Sequence, residues 1–95
     1  MPMTGSEKQE YKIIIPNRKV EKQLDAVPNP DYSRVSQKIQ SLSESPRPFG
    51  SLKLSDKVYR VRIGNYRVVY SIFDKEKVVV IDKVDRRKER TYKDF

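Results

Sequence analysis

The chain has 95 residues, a net charge of +8 from twenty-one Lys/Arg against thirteen Asp/Glu, and neither cysteine nor histidine. No cysteine means no disulfide framework and no thiolate metal site, and no histidine removes the commonest metal ligand and general base. Such a length suits one domain near the small end of what folds unaided, and any catalysis must run on Arg, Lys, Tyr, Asp, Glu or Ser.

In chain order, "MPMTGSEKQE" lacks the apolar core of a signal peptide and reads as a flexible polar tail over 1–10, leaving 11–95 as a single domain. No apolar run approaches the roughly 20 residues that span a bilayer, so a soluble cytoplasmic protein is expected. "YKIII" (11–15) is β-prone and stops at Pro16. Val20, Leu24 and Val27 then fall on one helical stripe that Asn17 is placed to cap and Pro28 ends. A second helix is expected from Asn29 as N-cap, with Pro30 first and Asp31 at the positive end of the helix dipole. Its stripe is Tyr32, Val35, Ile39 and Leu42, and the short join makes the two helices a hairpin.

After the connector "SPRPFG" the period changes to two. "SLKL" starts a strand, "VYRVRI" and "YRVVYSIF" are strands, and "KVVVIDKV" follows the loop "DKEK". The order β-α-α-β-β-β predicts an α+β domain, with the helix hairpin on one face of a largely antiparallel sheet. "DRRKERTYKDF" is too polar for a core and ends the chain as a short helix or a loose end.

Gly64-Asn65 between alternating strands signals a two-residue hairpin loop. Arg62 then lies opposite Arg67, with Arg60 on the same face, while Tyr59, Val61, Ile63, Tyr66, Val68, Tyr70 and Ile72 share the other. Like charges directly opposite are unfavourable unless an anion or a carboxylate intervenes. The residues therefore mark a phosphate-binding groove, or a structural ion-pair network with Asp82 or Asp56. A two-residue turn at Lys75-Glu76 puts Asp82 opposite Val69 and Val84 opposite Arg67. It delivers Arg86, Arg87, Lys88, Arg90 and Tyr92 beside the arginine face, Tyr92 there to pack the sheet end, stack on a base or take a proton. Charge follows this division: residues 1–56 carry nine Lys/Arg against seven Asp/Glu, and residues 57–95 twelve against six. A basic half of this kind favours a polyanion or an acidic protein.

With "KLSDKVYRVRIGNYRVVYSIFD", "VDRRKERTY" and the connector "LSESPRPFGSLKL", the chain resembles the RelE toxins of the RelE/ParE superfamily from about Tyr11 to Tyr92. The resemblance implies a RelE-like, microbial-ribonuclease-like fold and the toxin of a type II toxin–antitoxin system. It further implies an endoribonuclease (mRNA interferase) that cuts messages in the ribosomal A site, without metal or cofactor. The 2′-hydroxyl attacks the adjacent phosphate, leaving a 2′,3′-cyclic phosphate, and a RelB-like antitoxin is the partner. Residue by residue, Arg67 matches the phosphate-binding arginine, and Arg60 and Arg62 stand where RelE proteins often carry lysines. Arg87, or Arg86 by strand parity, matches the arginine that protonates the leaving oxygen; Tyr92 matches the C-terminal tyrosine. Lys53, Lys57, Arg86, Lys88 and Arg90 are expected to bind the RNA. The alternatives on the same fold are a ParE-like toxin of DNA gyrase and a homologue that binds RNA or antitoxin without cleaving.

Overall fold

A computed structural model describes residues 10–86. It consists of β1 (Lys12–Ile14), α1 (Arg18–Asp25), α2 (Asp31–Ser41), β2 (Leu52–Lys53), β3 (Val58–Ile63), β4 (Tyr66–Phe73) and β5 (Val78–Arg86). The strands form one sheet in the order β1-β5-β4-β3-β2. β1 runs parallel to β5 and every other pairing is antiparallel. The expected α+β architecture is present, with "SLKL" contributing a separate two-residue edge strand.

Both helices follow from their apolar stripes. Val20 and Leu24 of the first with Val27 just beyond it, and Val35 and Ile39 of the second with Leu42 at its C-cap, are buried in the core shared with the sheet. The side-chain oxygen of Asn17 accepts from the Val20 amide at 3.0 Å, capping α1. The start of α2 differs from expectation. Pro30, not Asn29, occupies the cap position, and proline offers no side-chain acceptor. The amide of Tyr32 turns back to the Pro28 carbonyl at 2.9 Å.

The sheet presents Val61, Tyr66, Val68, Tyr70, Ile72, Val79, Ile81 and Val84 to the helices, all buried. Tyr59 and Ile63 pack at the margin of this core. Tyr70 is wholly buried, yet its hydroxyl donates to the Pro46 carbonyl at 2.7 Å, and burial pushes its phenol up to about 12. Gly64 has φ +60° and Asn65 does not share the positive φ, so the β3–β4 loop is a type II′ turn. That turn registers Ile63 with Tyr66 and Arg62 with Arg67.

Between β4 and β5 the loop is four residues, 74–77, closed by Phe73 and Val78. It gives the same register as a two-residue turn as far as Tyr70 opposite Ile81. A β-bulge then intervenes, and Val69 faces Lys83 instead of Asp82, while Arg67 faces Asp85 instead of Val84. The cause lies in the apolar spacing. Val79 and Ile81 alternate, but strict alternation would next bury Lys83. Admitting one extra residue leaves Asp82 and Lys83 both exposed and returns Val84 to the core at 5% exposure.

Candidate nucleic-acid interface

The helices cover one face of the sheet and leave the other to carry Arg60, Arg62 and Arg67. In a two-residue hairpin the pair flanking the loop exchanges the backbone bonds. Arg62 and Arg67 therefore form the closer, non-bonded pair type, roughly 4.5 Å between Cα atoms. Arg60 stands opposite Val69, one step further along the same face. Arg62 is exposed, and Arg60 and Arg67 are partly so.

Among the described residues none of these three guanidiniums makes an ion pair or hydrogen bond. Asp82 instead accepts from the Ser71 hydroxyl at 2.6 Å, and Asp56 has no arginine partner. Asp85 does share the arginine face, opposite Arg67, but its carboxylate lies 3.6 Å from the Lys83 ammonium. The result is three fixed cations, two of them face to face, with one flanking carboxylate already engaged. Planar guanidinium forks in such an array match phosphate oxygens, and an anion between Arg62 and Arg67 would relieve their repulsion.

The other basic residues singled out from the sequence scatter. The bulge reverses the parity of Arg86: it pairs with Tyr66, on the helix-covered face, and does not continue the face of Arg67. There it borders a groove of about 450 Å³ lined by Gln23, Ala26, Val27, Tyr66 and Val84. Lys53 is registered with Tyr59 and so shares the helix-side parity at the sheet edge. Lys57 lies at the far end of the hairpin, its ammonium 5.8 Å from the centre of the Phe73 ring. Arg87, Lys88, Arg90 and Tyr92 lie outside the described residues. Among the described residues no group of acidic side chains could hold a metal ion, and no helix is long and apolar enough to cross a membrane.

A polar cluster that the sequence did not announce occupies the opposite end of the sheet. Arg47, in the proline-rich connector, donates to Asp74 twice, at 3.2 and 2.7 Å, and from Nε to the Tyr59 hydroxyl at 3.1 Å. The Tyr11 hydroxyl donates to the same carboxylate at 2.6 Å. These bonds, Arg47's foremost, hold the Asp74 carboxyl at about 2 and raise the pKa of Arg47. The cluster ties connector, β1 and the β4–β5 loop together. Four partners between 12 and 63 residues apart leave no local spacing by which to find it.

The chain matches the family model described as the ParE toxin of the parDE type II toxin–antitoxin system over residues 14–91. It is 35% identical over 82 residues to the RelE1 protein of Methanocaldococcus jannaschii, covering 81% of this chain and 90% of that relative. Its structure is similar to the archaeal RelE in the RelE–RelB complex from Pyrococcus horikoshii OT3. There the TM-score is 0.71 at 32% identity, over 82% of this chain and 96% of that one. It is also similar to a chain of the toxin–antitoxin complex RelBE2 from Mycobacterium tuberculosis, with a TM-score of 0.70 at 26% identity, over 82% and 92% of the two chains.

Proposed function

Because the chain belongs to the ParE toxin family of type II toxin–antitoxin systems and is RelE-like, we propose that it is a ribosome-dependent endoribonuclease cleaving mRNA in the ribosomal A site. The observation that carries the reading is the Arg60, Arg62 and Arg67 face, whose guanidiniums have no protein partner among the described residues.

In the proposed reaction the 2′-oxygen of one nucleotide bonds to the adjacent phosphorus and the P–O5′ bond breaks. A 2′,3′-cyclic phosphate and a 5′-hydroxyl result. Arg67 holds the phosphate. Arg60 and Arg62 stabilise the charge that grows on its oxygens, since arginine is effectively always protonated and makes a poor base. Arg87 supplies the proton to the leaving oxygen and Tyr92 stacks on the base or helps activate the hydroxyl; both assignments rest on the family resemblance. Arg86, on the other face, is no longer favoured for that role. The enzyme acts in the cytoplasm, and a RelB-like antitoxin holds it inactive.

Purified protein added to ribosomes programmed with a defined message should yield position-specific breaks ending in cyclic phosphate, and none without ribosomes. The family model bears the ParE name, which favours a second reading: a toxin that inhibits DNA gyrase and cuts no RNA. Intact message together with blocked supercoiling would replace the first reading with the second.

A further inference from the structure

The 2′-hydroxyl must lose a proton as it attacks, and the arginine face offers no obvious group to take it. The chain has no histidine, and arginines such as Arg60, Arg62 and Arg67 stay protonated. One carboxylate lies beside them. Asp85 is the register partner of Arg67, so Arg62, Arg67 and Asp85 form a single row across three strands. Partners in such a row stand about 4.5–5.5 Å apart at their Cα atoms. The bulge that returns Val84 to the core also turns Asp85 onto this face, where an unbroken ladder would set Val84 opposite Arg67. Bulges re-aim side chains beside active sites in this way.

A carboxylate beside a phosphate site repels the substrate, and a purely structural role explains it poorly. The Lys83 ammonium is 3.6 Å away, beyond hydrogen-bond length, and the two side chains are 54% and 40% exposed. Ion pairs so open to water contribute little. Asp85 makes no other interaction among the described residues, so its oxygens remain open to a substrate hydroxyl. Asp82, by contrast, is held by the Ser71 hydroxyl at 2.6 Å. Aspartate is also shorter than arginine, and can meet a sugar hydroxyl beneath a phosphate that the longer guanidiniums hold. We propose that Asp85 is the general base of the cleavage, taking the proton of the attacking 2′-hydroxyl while Arg62 and Arg67 hold the adjacent phosphate. The O2′–H bond breaks as O2′–P forms, the P–O5′ bond breaks, and the leaving oxygen takes its proton from the acid assigned to Arg87. Asp85 then gives its proton to water, and Tyr92 is left to stack on the base. The inference rests on the nuclease reading above and names the proton acceptor of that same site.

The test compares Asp85→Asn with the wild-type chain in single-turnover cleavage on programmed ribosomes between pH 6 and 8. Asp82→Asn removes the same charge from the same strand and should cleave as wild type does. Thermal melts establish that each variant is folded, and affinity for an RNA oligonucleotide is measured alongside. Asp85→Asn is expected to cleave roughly a hundredfold more slowly at pH 7, with RNA affinity kept or raised because a negative charge has gone. The pH profile separates a base from a scaffold. The groups facing Asp85 are Arg67, Lys83 and, one strand further, Arg62. Such residue types titrate far above this range, and carboxyls titrate below it. With the base in place the wild-type rate should therefore stay level. Without it hydroxide must take the proton, and the residual Asp85→Asn rate should climb about tenfold per pH unit. A folded Asp85→Asn variant within about threefold of wild type overturns the proposal. So does a slowed variant whose profile stays level, which would make Asp85 a positioning residue for Arg67. A wild-type chain that cuts no message at any pH overturns the nuclease reading and the base together, whereas an active wild type with an equally active Asp85→Asn overturns the base alone.

Discussion

Arg67 stands opposite Arg62 and, among the described residues, makes no ion pair, since Asp85 on its other side is engaged by Lys83, so the facing charges cost stability in the free protein. Cross-strand pairs are worth roughly 0.2–1 kcal/mol, with like charges unfavourable. Arg67→Ala should therefore leave the unfolding free energy unchanged or slightly raised, while abolishing cleavage on programmed ribosomes. A loss of several kcal/mol in chemical denaturation would instead reveal a buried ionic partner. Asp74 carries the opposite sign of effect. Its carboxyl is held at about 2 against an ordinary 3.8, first by Arg47 and then by Tyr11. The folded state thus binds that proton less readily than the unfolded state. The stabilisation is complete above about pH 4 and is lost as pH falls toward 2. Asp74→Asn should lower the thermal midpoint at neutral pH, and the gap from wild type should close by pH 2. A gap constant across that range would show that the carboxylate's charge contributes nothing.

The elements differ in how plainly the residues declare them. The helix stripes and the alternation of β3 and β4 were readable because burial of one face imposes a period, and Gly64 marked the turn that sets Arg62 against Arg67. Asn17 was equally readable as a cap. Asn17→Ala should cost about 1 kcal/mol by chemical denaturation, with translation arrest unaffected because α1 lies on the other face. A loss near zero would mean that packing of Val20 and Leu24 alone holds the first turn. Asn29 misled because propensity ranks it above Pro30, whereas backbone bonds to the Pro28 carbonyl fix where α2 begins. The bulge in β5 had a signal that a two-residue turn count passes over: Val79, Ile81 and Val84 cannot share one face of an unbroken ladder. Arg86 moved to the helix face for that reason alone. Arg47 had none, since its cluster depends on partners remote in sequence.

At the scale of the molecule, +8 of charge will draw any polyanion, and attraction by itself does not make a site. Binding of single-stranded RNA releases counterions, with a slope of log K against log salt near −0.7 for each phosphate neutralised. Three arginines engaging phosphates would give about −2, and a diffuse field adds to that without regard to position. Two variants with the same change of net charge separate these contributions. Arg67→Ala removes a cation from the hairpin face, and Lys75→Ala removes one from the exposed β4–β5 loop at the other end of the strand. Affinities of both for one RNA oligonucleotide are measured across a salt series. If the arginine face is a site, Arg67→Ala should weaken binding at every salt concentration and reduce the slope by about 0.7, while Lys75→Ala leaves the slope nearly unchanged. Screening over about 8–10 Å near physiological ionic strength sharpens the contrast, because it removes the distant lysine's influence before that of a contacting arginine. Equal losses in the two variants would mean that RNA samples the whole basic surface, and that Arg62 and Arg67 face each other without a phosphate between them.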